Sequence, residues 1–186
     1  MNKLKLVSLP VLAILAGCAA YSWRPTVPAG LRTVAVPTMR NESDVTELGN
    51  LATREILREF QREGTMKIAS VGDAAIEIQG IALSAQAGVS SYSRSTSWRN
   101  LEYTFDGEFE ISVVDKRNGK VLIEAKRYKA HTTFLSSTDI LTAKRDAAGR
   151  LAEDLARQVV DDVLSYPYDI ESADDLPSDG AEEALQ

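Results

Sequence analysis

The strongest constraint on the fold is a two-residue alternation of apolar and polar side chains between residues 101 and 113. Even positions carry polar side chains, and the odd ones carry Leu101, Tyr103, Phe105, Gly107, Phe109, Ile111 and Val113. Successive side chains of a strand point to opposite faces, so this pattern predicts a long strand with one buried and one solvated face. Helices should cover the buried face.

The segments around this strand predict further strands. Asn118-Gly119 is the preferred pair for a two-residue type I′ turn, so residues 121 to about 132 should return as an antiparallel hairpin partner. Upstream, three segments predict strands: a short β-branched run stopped by a proline, a second short segment, and a third that begins with alternating apolar positions. They lie at 33–37, at 66–71 and from 76–81 onward.

Two segments have the spacing of amphipathic helices. The first should begin with Ser43 or Asp44 as its N-cap and end at Gly64, with an inward face of Leu48, Leu51, Ala52, Ile56 and Phe60. The second should run over residues 140–164, with an inward face of Ala148, Leu151, Ala152, Leu155, Val159 and Val163. We therefore expect an α+β two-layer sandwich, with two helices on one face of a roughly four-stranded mixed sheet.

The first residues have the features of a targeting segment. Lys3 and Lys5 precede an apolar run at 6–16, which is much shorter than the roughly 20 residues that cross a bilayer. Leu15-Ala16-Gly17-Cys18 resembles the lipobox of bacterial lipoproteins, in which cleavage precedes a lipid-modified cysteine. We expect a signal peptide at 1–17 and an acylated Cys18 that anchors the chain to a membrane. The residue after Cys18 is not aspartate, which implies sorting to the periplasmic side of the outer membrane.

Charge divides the rest of the chain. Loss of residues 1–17 would leave 19 basic and 27 acidic side chains, and seven of the acids follow Tyr168. The part before the tail is therefore nearly neutral and lacks the basic excess expected for nucleic-acid binding. We expect an anchor and lead segment at 18–30, a folded domain at 31–168 and an acidic disordered tail at 169–186.

Candidates for catalytic chemistry are few. His131 is the only histidine and Cys18 the only cysteine, so zinc sites built from these residue types are not expected. The sequence also lacks the glycine-containing motifs of serine hydrolases, dinucleotide-binding proteins and P-loop proteins. We expect a non-enzymatic protein without a cofactor.

Two groups of residues could bind a partner. Six basic residues surround the predicted hairpin, with Asp115 and Glu124 as the nearby acids in sequence: Lys116, Arg117, Lys120, Lys126, Arg127 and Lys129. They could bind an anionic headgroup or an acidic protein surface, or they could be solvated bases that deter edge pairing. In the serine-rich stretch 88–99, Tyr92, Trp98 and Arg99 suit an interface. The alternative there is an ordinary loop with Trp98 packed into the core.

The order of these pieces resembles the LptE family of lipopolysaccharide-assembly lipoproteins. Cys18 is followed by Tyr21-Ser22-Trp23, then by Leu31-Arg32-Thr33-Val34-Ala35-Val36-Pro37, Asn41-Glu42-Ser43, and Asp115-Lys116-Arg117-Asn118-Gly119-Lys120-Val121-Leu122. The resemblance implies a plug in the lumen of an LptD-type β-barrel, which it helps to assemble, and a role in inserting lipopolysaccharide into the outer leaflet.

The resemblance identifies no lipopolysaccharide-binding residue in this chain, and the acidic tail has no counterpart in the family's pattern. The alternative is an envelope lipoprotein that acts as a synthase activator or secretion accessory through a small α/β domain. Such proteins also open with a Val-Ala-Val-Pro segment. This alternative predicts a soluble or peptidoglycan-associated partner in place of a barrel.

Overall fold

The computed structural model describes residues 27–92, 101–136 and 140–168. A 3₁₀ turn, two helices and six strands lie in these ranges. In chain order they are the turn Ala29–Leu31, β1 Thr33–Ala35, β2 Arg40–Asn41, α1 Leu48–Glu63, β3 Lys67–Ile68, β4 Ile76–Tyr92, β5 Leu101–Asp115, β6 Lys120–Ser136 and α2 Ile140–Ser165.

The six strands form one mixed sheet in the order β3-β1-β4-β5-β6, and β2 pairs with β4. β1 is parallel to β3 and β4, and β2 is also parallel to β4. The β4, β5 and β6 strands form an antiparallel meander. These three strands have 15 to 17 residues, about 50 Å at roughly 3.3 Å per residue, so they extend far beyond the short parallel strands.

The predicted α+β class and the long hairpin are confirmed. Both helices share one core with the apolar face of the sheet, and β5 pairs with β6 from Leu101↔Ser136 to Asp115↔Lys120. The sheet has six strands rather than about four. Of the predicted strand at 66–71 only Lys67–Ile68 is strand, and β2 is equally short, too short for a two-residue alternation to be visible.

The helix faces pack largely as their spacing predicts. Leu48, Ala52, Ile56 and Phe60 of α1 are fully buried, whereas Leu51 is only partly buried. Every residue of the stripe predicted for α2 is buried. Within the described ranges, neither helix has an apolar stretch long enough to cross a membrane.

The predicted N-cap of α1 is wrong. The helix begins at Leu48 after Glu47, which has a φ of 67° and makes no side-chain capping hydrogen bond. Ser43 Oγ instead donates to Asn41 Oδ1 at 2.7 Å and accepts the Val45 N–H at 3.3 Å. These local bonds compete with helix formation, so the helix starts later than expected.

The predicted two-residue type I′ turn is also wrong. Asp115 pairs with Lys120, so residues 116–119 form a four-residue loop. Within this loop only Gly119 has a positive φ, 71°, whereas a type I′ turn needs positive φ at both central residues. The Gly119 and Arg117 N–H groups donate to the Asp115 carbonyl at 2.8 Å and to its carboxylate at 3.0 Å. These bonds close the longer loop.

Candidate docking surfaces

The structure divides the six predicted binding bases into two groups. Lys116, Arg117 and Lys120 lie at or beside the loop that joins β5 to β6, whereas the other three lie within β6. The two groups have different surroundings. The six bases have more acidic neighbours than Asp115 and Glu124, the two that are close in sequence. Neighbouring strands and α2 contribute further carboxylates that are distant in sequence.

Arg117 forms an ion pair with a buried carboxylate of the same loop. Its Nε and Nη2 atoms donate to Asp115 Oδ1 at 3.1 Å and Oδ2 at 2.8 Å, and Asp115 is only 3% exposed. Burial alone would raise the pKa of the Asp115 carboxyl, but bonds from Arg117 and the charges of Arg117 and Lys120 outweigh it and lower that pKa. The bond to Asp115 raises the pKa of Arg117 in turn. This pair therefore stabilises the loop itself.

Lys116 is also used within the fold. Its ammonium group lies 3.2 Å from Glu77 Oε2 on β4 and donates to the carbonyl of Val71. The hydrogen bond from Gln79 and the contact with Lys116 together lower the pKa of Glu77 against the effect of burial. Lys116 and Arg117 line a shallow depression with Gly30 and residues 72–75. The loop between β5 and β6 therefore lies close to Gly30, near the first described residues.

Lys126 points to the helix side of β6. Its ammonium group contacts the Asp162 carboxylate on α2 and lies 5.0 Å from the centroid of the Tyr128 ring. The Tyr128 hydroxyl donates to the same carboxylate at 2.6 Å. Burial first, and then Asp162, raise the pKa of Tyr128 far above its ordinary value, so the phenol stays a donor. The cluster fastens α2 to β6.

Arg127 and Lys129 point to the opposite face of the sheet. Arg127 Nη1 lies 3.1 Å from Glu108 Oε1, and its Nε lies 3.9 Å from Glu110 Oε2, both on β5. Lys129 is exposed and pairs in register with Glu108. A row of bases on the edge strand thus lies beside a row of acids on the central strand.

This second sheet face, the open face, is mainly polar and carries no helix among the described residues, although Ile81 and the exposed Leu135 also lie on it. Both helices pack on the side that holds the buried apolar residues of β4, β5 and β6. The alternation along the strands sends polar and charged groups to the other side. They are Glu77, Gln79, Ser84, Gln86, Thr104, Asp106, Glu108, Glu110, Ser112, Arg127, Lys129, His131 and Thr133.

His131 lies on the open face with 56% of its side chain exposed, and its Nδ1 is 2.6 Å from Asp106 Oδ1. Ser84 lines the same shallow depression, but β5 separates the two strands, whose axes are about 10 Å apart. No contact between Ser84 and His131 occurs among the described residues, although a catalytic base must reach its hydroxyl at about 3 Å. No metal-binding group of three or more His, Cys, Asp or Glu side chains occurs in that part of the chain.

The other predicted site residues are only partly placed. Tyr92 is the last residue of β4 and pairs with Leu101, so residues 88–92 are strand and not loop. Trp98, Arg99 and Cys18 lie outside the described residues. Sequence reasoning missed Glu77 and Asp162 as partners of the bases, because only the pairing of strands and the packing of α2 bring them there.

Comparison with known proteins identifies one family and several solved structures with weak similarity to this chain. The model of the family described as LptE, Lipopolysaccharide-assembly, matches residues 31–163. No curated relative matches the sequence. A homologue of neuraminyllactose-binding hemagglutinin from Helicobacter pylori has 8% identity and a TM-score of 0.47, with 77% of this chain and 91% of that chain covered.

Two further structures have the same kind of likeness. A lipoprotein B from Nitrosomonas europaea has 13% identity and a TM-score of 0.47, with 78% of this chain and 92% of that chain covered. The PelC dodecamer from Paraburkholderia phytofirmans has 16% identity and a TM-score of 0.40, with 72% of this chain and 94% of that chain covered. No function is transferred from these three structures.

Proposed function

Because the chain belongs to the LptE family of lipopolysaccharide-assembly proteins, we propose that it is a non-enzymatic lipoprotein that plugs an LptD-type β-barrel. In this proposal, lipid on Cys18 holds the chain at the periplasmic side of the outer membrane. The domain then supports assembly of the barrel and assists insertion of lipopolysaccharide into the outer leaflet.

The mainly polar open face is the observation that carries this proposal. The interior of an outer-membrane barrel is polar, and a plug must present polar groups to it without losing its own apolar core. The open face does so, because interleaved acids and bases such as Glu108 and Arg127 partly neutralise each other. Five strands side by side span about 20 Å at roughly 4.8 Å per strand, which requires a large barrel of the plugged class.

The proposal also selects among the six bases for contact with lipopolysaccharide. Arg117 and Lys116 hold carboxylates of their own domain, so their replacement would disturb the fold as well as any ligand. Lys120 also acts within the fold, because its charge helps to lower the pKa of the buried Asp115. Lys129 on the open face is exposed. We assign the phosphate-bearing headgroup to Lys129, because ammonium groups bind phosphate as point charges.

The headgroup assignment can be tested with Lys129→Glu in the full chain. Lipopolysaccharide binding at low salt should weaken about tenfold, or about 1.4 kcal/mol, and the difference should shrink as salt screens the charges. Lys67→Glu, an exposed lysine of β3, is the matched control and should bind normally. Unchanged binding by Lys129→Glu at low salt would remove this lysine from the proposal.

The barrel proposal is tested by isolating the native lipoprotein in mild detergent. A large outer-membrane barrel protein should co-purify in a one-to-one ratio. If a soluble or peptidoglycan-associated protein co-purified instead, the synthase activator or secretion accessory function would replace the plug.

A further inference from the structure

The two lateral edges of the long antiparallel meander differ in how they are protected. Side chains of α2 cover the outer edge of β6 by bonding to its backbone. The bonds are His131 N–H to Asp154 Oδ2 at 3.2 Å, Gln158 Nε2 to Lys129 O at 3.1 Å, and Arg150 Nη2 to Thr133 O at 3.1 Å. These bonds occupy groups that a further strand would need, so α2 protects this edge between residues 129 and 133.

The opposite edge, formed by β4, is covered only in its first part. β1 and β2 pair there, and the last such pair is Asn41 with Ala82. Beyond it, no strand among the described residues pairs with β4 on this side, while β5 pairs along the other side. Between the register irregularities at 82–84 and 89–91, residues 84–89 form a regular stretch of about 20 Å. We call it the edge segment.

The edge segment lacks the side chains that usually block strand addition. Its sequence, Ser84 to Val89, contains no lysine, no other charge and no proline, whereas exposed edges are commonly blunted by charge or proline. Gln86, Ala87 and Gly88 are exposed. Small neutral side chains let a second strand approach to the usual spacing of about 4.8 Å.

We propose that the edge segment pairs antiparallel with the same segment of a second copy, which joins two sheets into one. An uncharged segment meets its own copy without like-charge repulsion, and it offers no counter-charge to a charged foreign strand. Within the described ranges each copy contributes one such segment, so pairing through a two-fold axis uses both edge segments and stops at a dimer. The inference concerns the free lipoprotein and does not depend on the barrel proposal.

The geometry of antiparallel pairing limits the registers in which the two edge segments can meet. Directly opposite residues of an antiparallel pair share a face, so the two-fold axis must pass through a residue position. An axis at Gln86 places the two Gln86 side chains opposite each other, and an axis at Ala87 makes them diagonal neighbours. In both registers, a charged side chain at position 86 of one copy lies within reach of the same charged side chain of the other copy.

This contact is tested by charge substitution in the native lipoprotein in detergent, with self-association measured by sedimentation equilibrium. The unaltered protein should dimerise. Gln86→Lys and Gln86→Glu should each weaken association about tenfold, since like charges on facing strand positions are destabilising. An equimolar mixture of the two variants should recover the dimer, which also shows that both variants fold.

Gln79→Lys and Gln79→Glu provide the matched control. Gln79 is an exposed glutamine on the open-face side of the same strand, but it lies in the part of β4 that β1 and β2 flank, so its substitution should leave association unchanged. A monomeric unaltered protein, or a dimer that is insensitive to charge at position 86, would overturn the inference. So would a foreign strand bound to the edge segment of the isolated lipoprotein.

Discussion

At the scale of single residues, Gly107 decides how closely α2 can approach the sheet. A Cβ atom at this position would lie 2.7 Å from Leu151 Cδ2 and 3.0 Å from Phe109 Cε2. Both side chains belong to the packed core. Gly107→Ala should therefore lower the free energy of unfolding by about 1–3 kcal/mol, the usual cost of overpacking. Urea denaturation measures it, and an unchanged midpoint would contradict the packing of α2 on β5.

Gly149 should respond in the opposite direction to the same substitution. It lies in the interior of α2, and, apart from its chain neighbours and the nearby backbone of the same helix, no described atom lies within 4 Å of a Cβ added there. Alanine has a higher helix propensity than glycine, so Gly149→Ala should raise the free energy of unfolding by about 1 kcal/mol. The same urea titration serves as the measurement. A loss of stability would mean that this side of α2 is in contact with another part of the protein.

Asp115 should make stability depend on acid pH. Its pKa is lower in the folded protein than its ordinary value, so the stabilisation is present above the unfolded pKa and is lost as pH falls through the folded pKa. Unfolding free energies measured from neutral pH to pH 2 should decline less steeply for Asp115→Asn than for the unaltered protein. Parallel curves would show that the Arg117 contact does not stabilise the folded state.

At the scale of elements, α2 both packs on the core and protects the edge of β6. Replacing Arg150, Asp154 and Gln158 together by alanine removes the three bonds to the edge without lowering helix propensity. The variant should retain its helix content in far-UV circular dichroism and form larger assemblies in light scattering. Arg145→Ala with Glu153→Ala, two exposed positions of α2, is the control. Assemblies no larger than those of the control would show that the edge is protected in another way.

The long elements could be predicted from sequence and the short ones could not. β5 alternates without interruption over residues 101–113, and α2 has a buried apolar stripe, so periodicity alone located both. β2 and β3 have two residues each and depend on tertiary pairing. The start of α1 and the loop 116–119 were mispredicted because local side-chain bonds at Asn41 and Asp115 override the generic capping and turn preferences.

At the scale of the whole molecule, the sequence located the candidate site by charge but could not show which charges are free. Arg117 and Asp115 are two residues apart, yet the burial of Asp115 became visible only in the folded loop. Lys126 meets Asp162 across 36 positions of sequence. Such long-range partners depend on strand register and helix packing. The open face follows from the alternation in β5 together with the placement of both helices on one side.

The central claim is that this LptE-family domain docks into a large barrel through its open face. A photo-crosslinking amino acid in place of Lys129, introduced into the full chain in living cells, tests it most directly. Irradiation should give an adduct whose mass equals this chain plus one outer-membrane barrel protein, absent without irradiation. The account would be contradicted if the lipoprotein were present at its normal abundance but formed no adduct with a barrel protein from this position. Adducts with soluble periplasmic proteins alone would also contradict it.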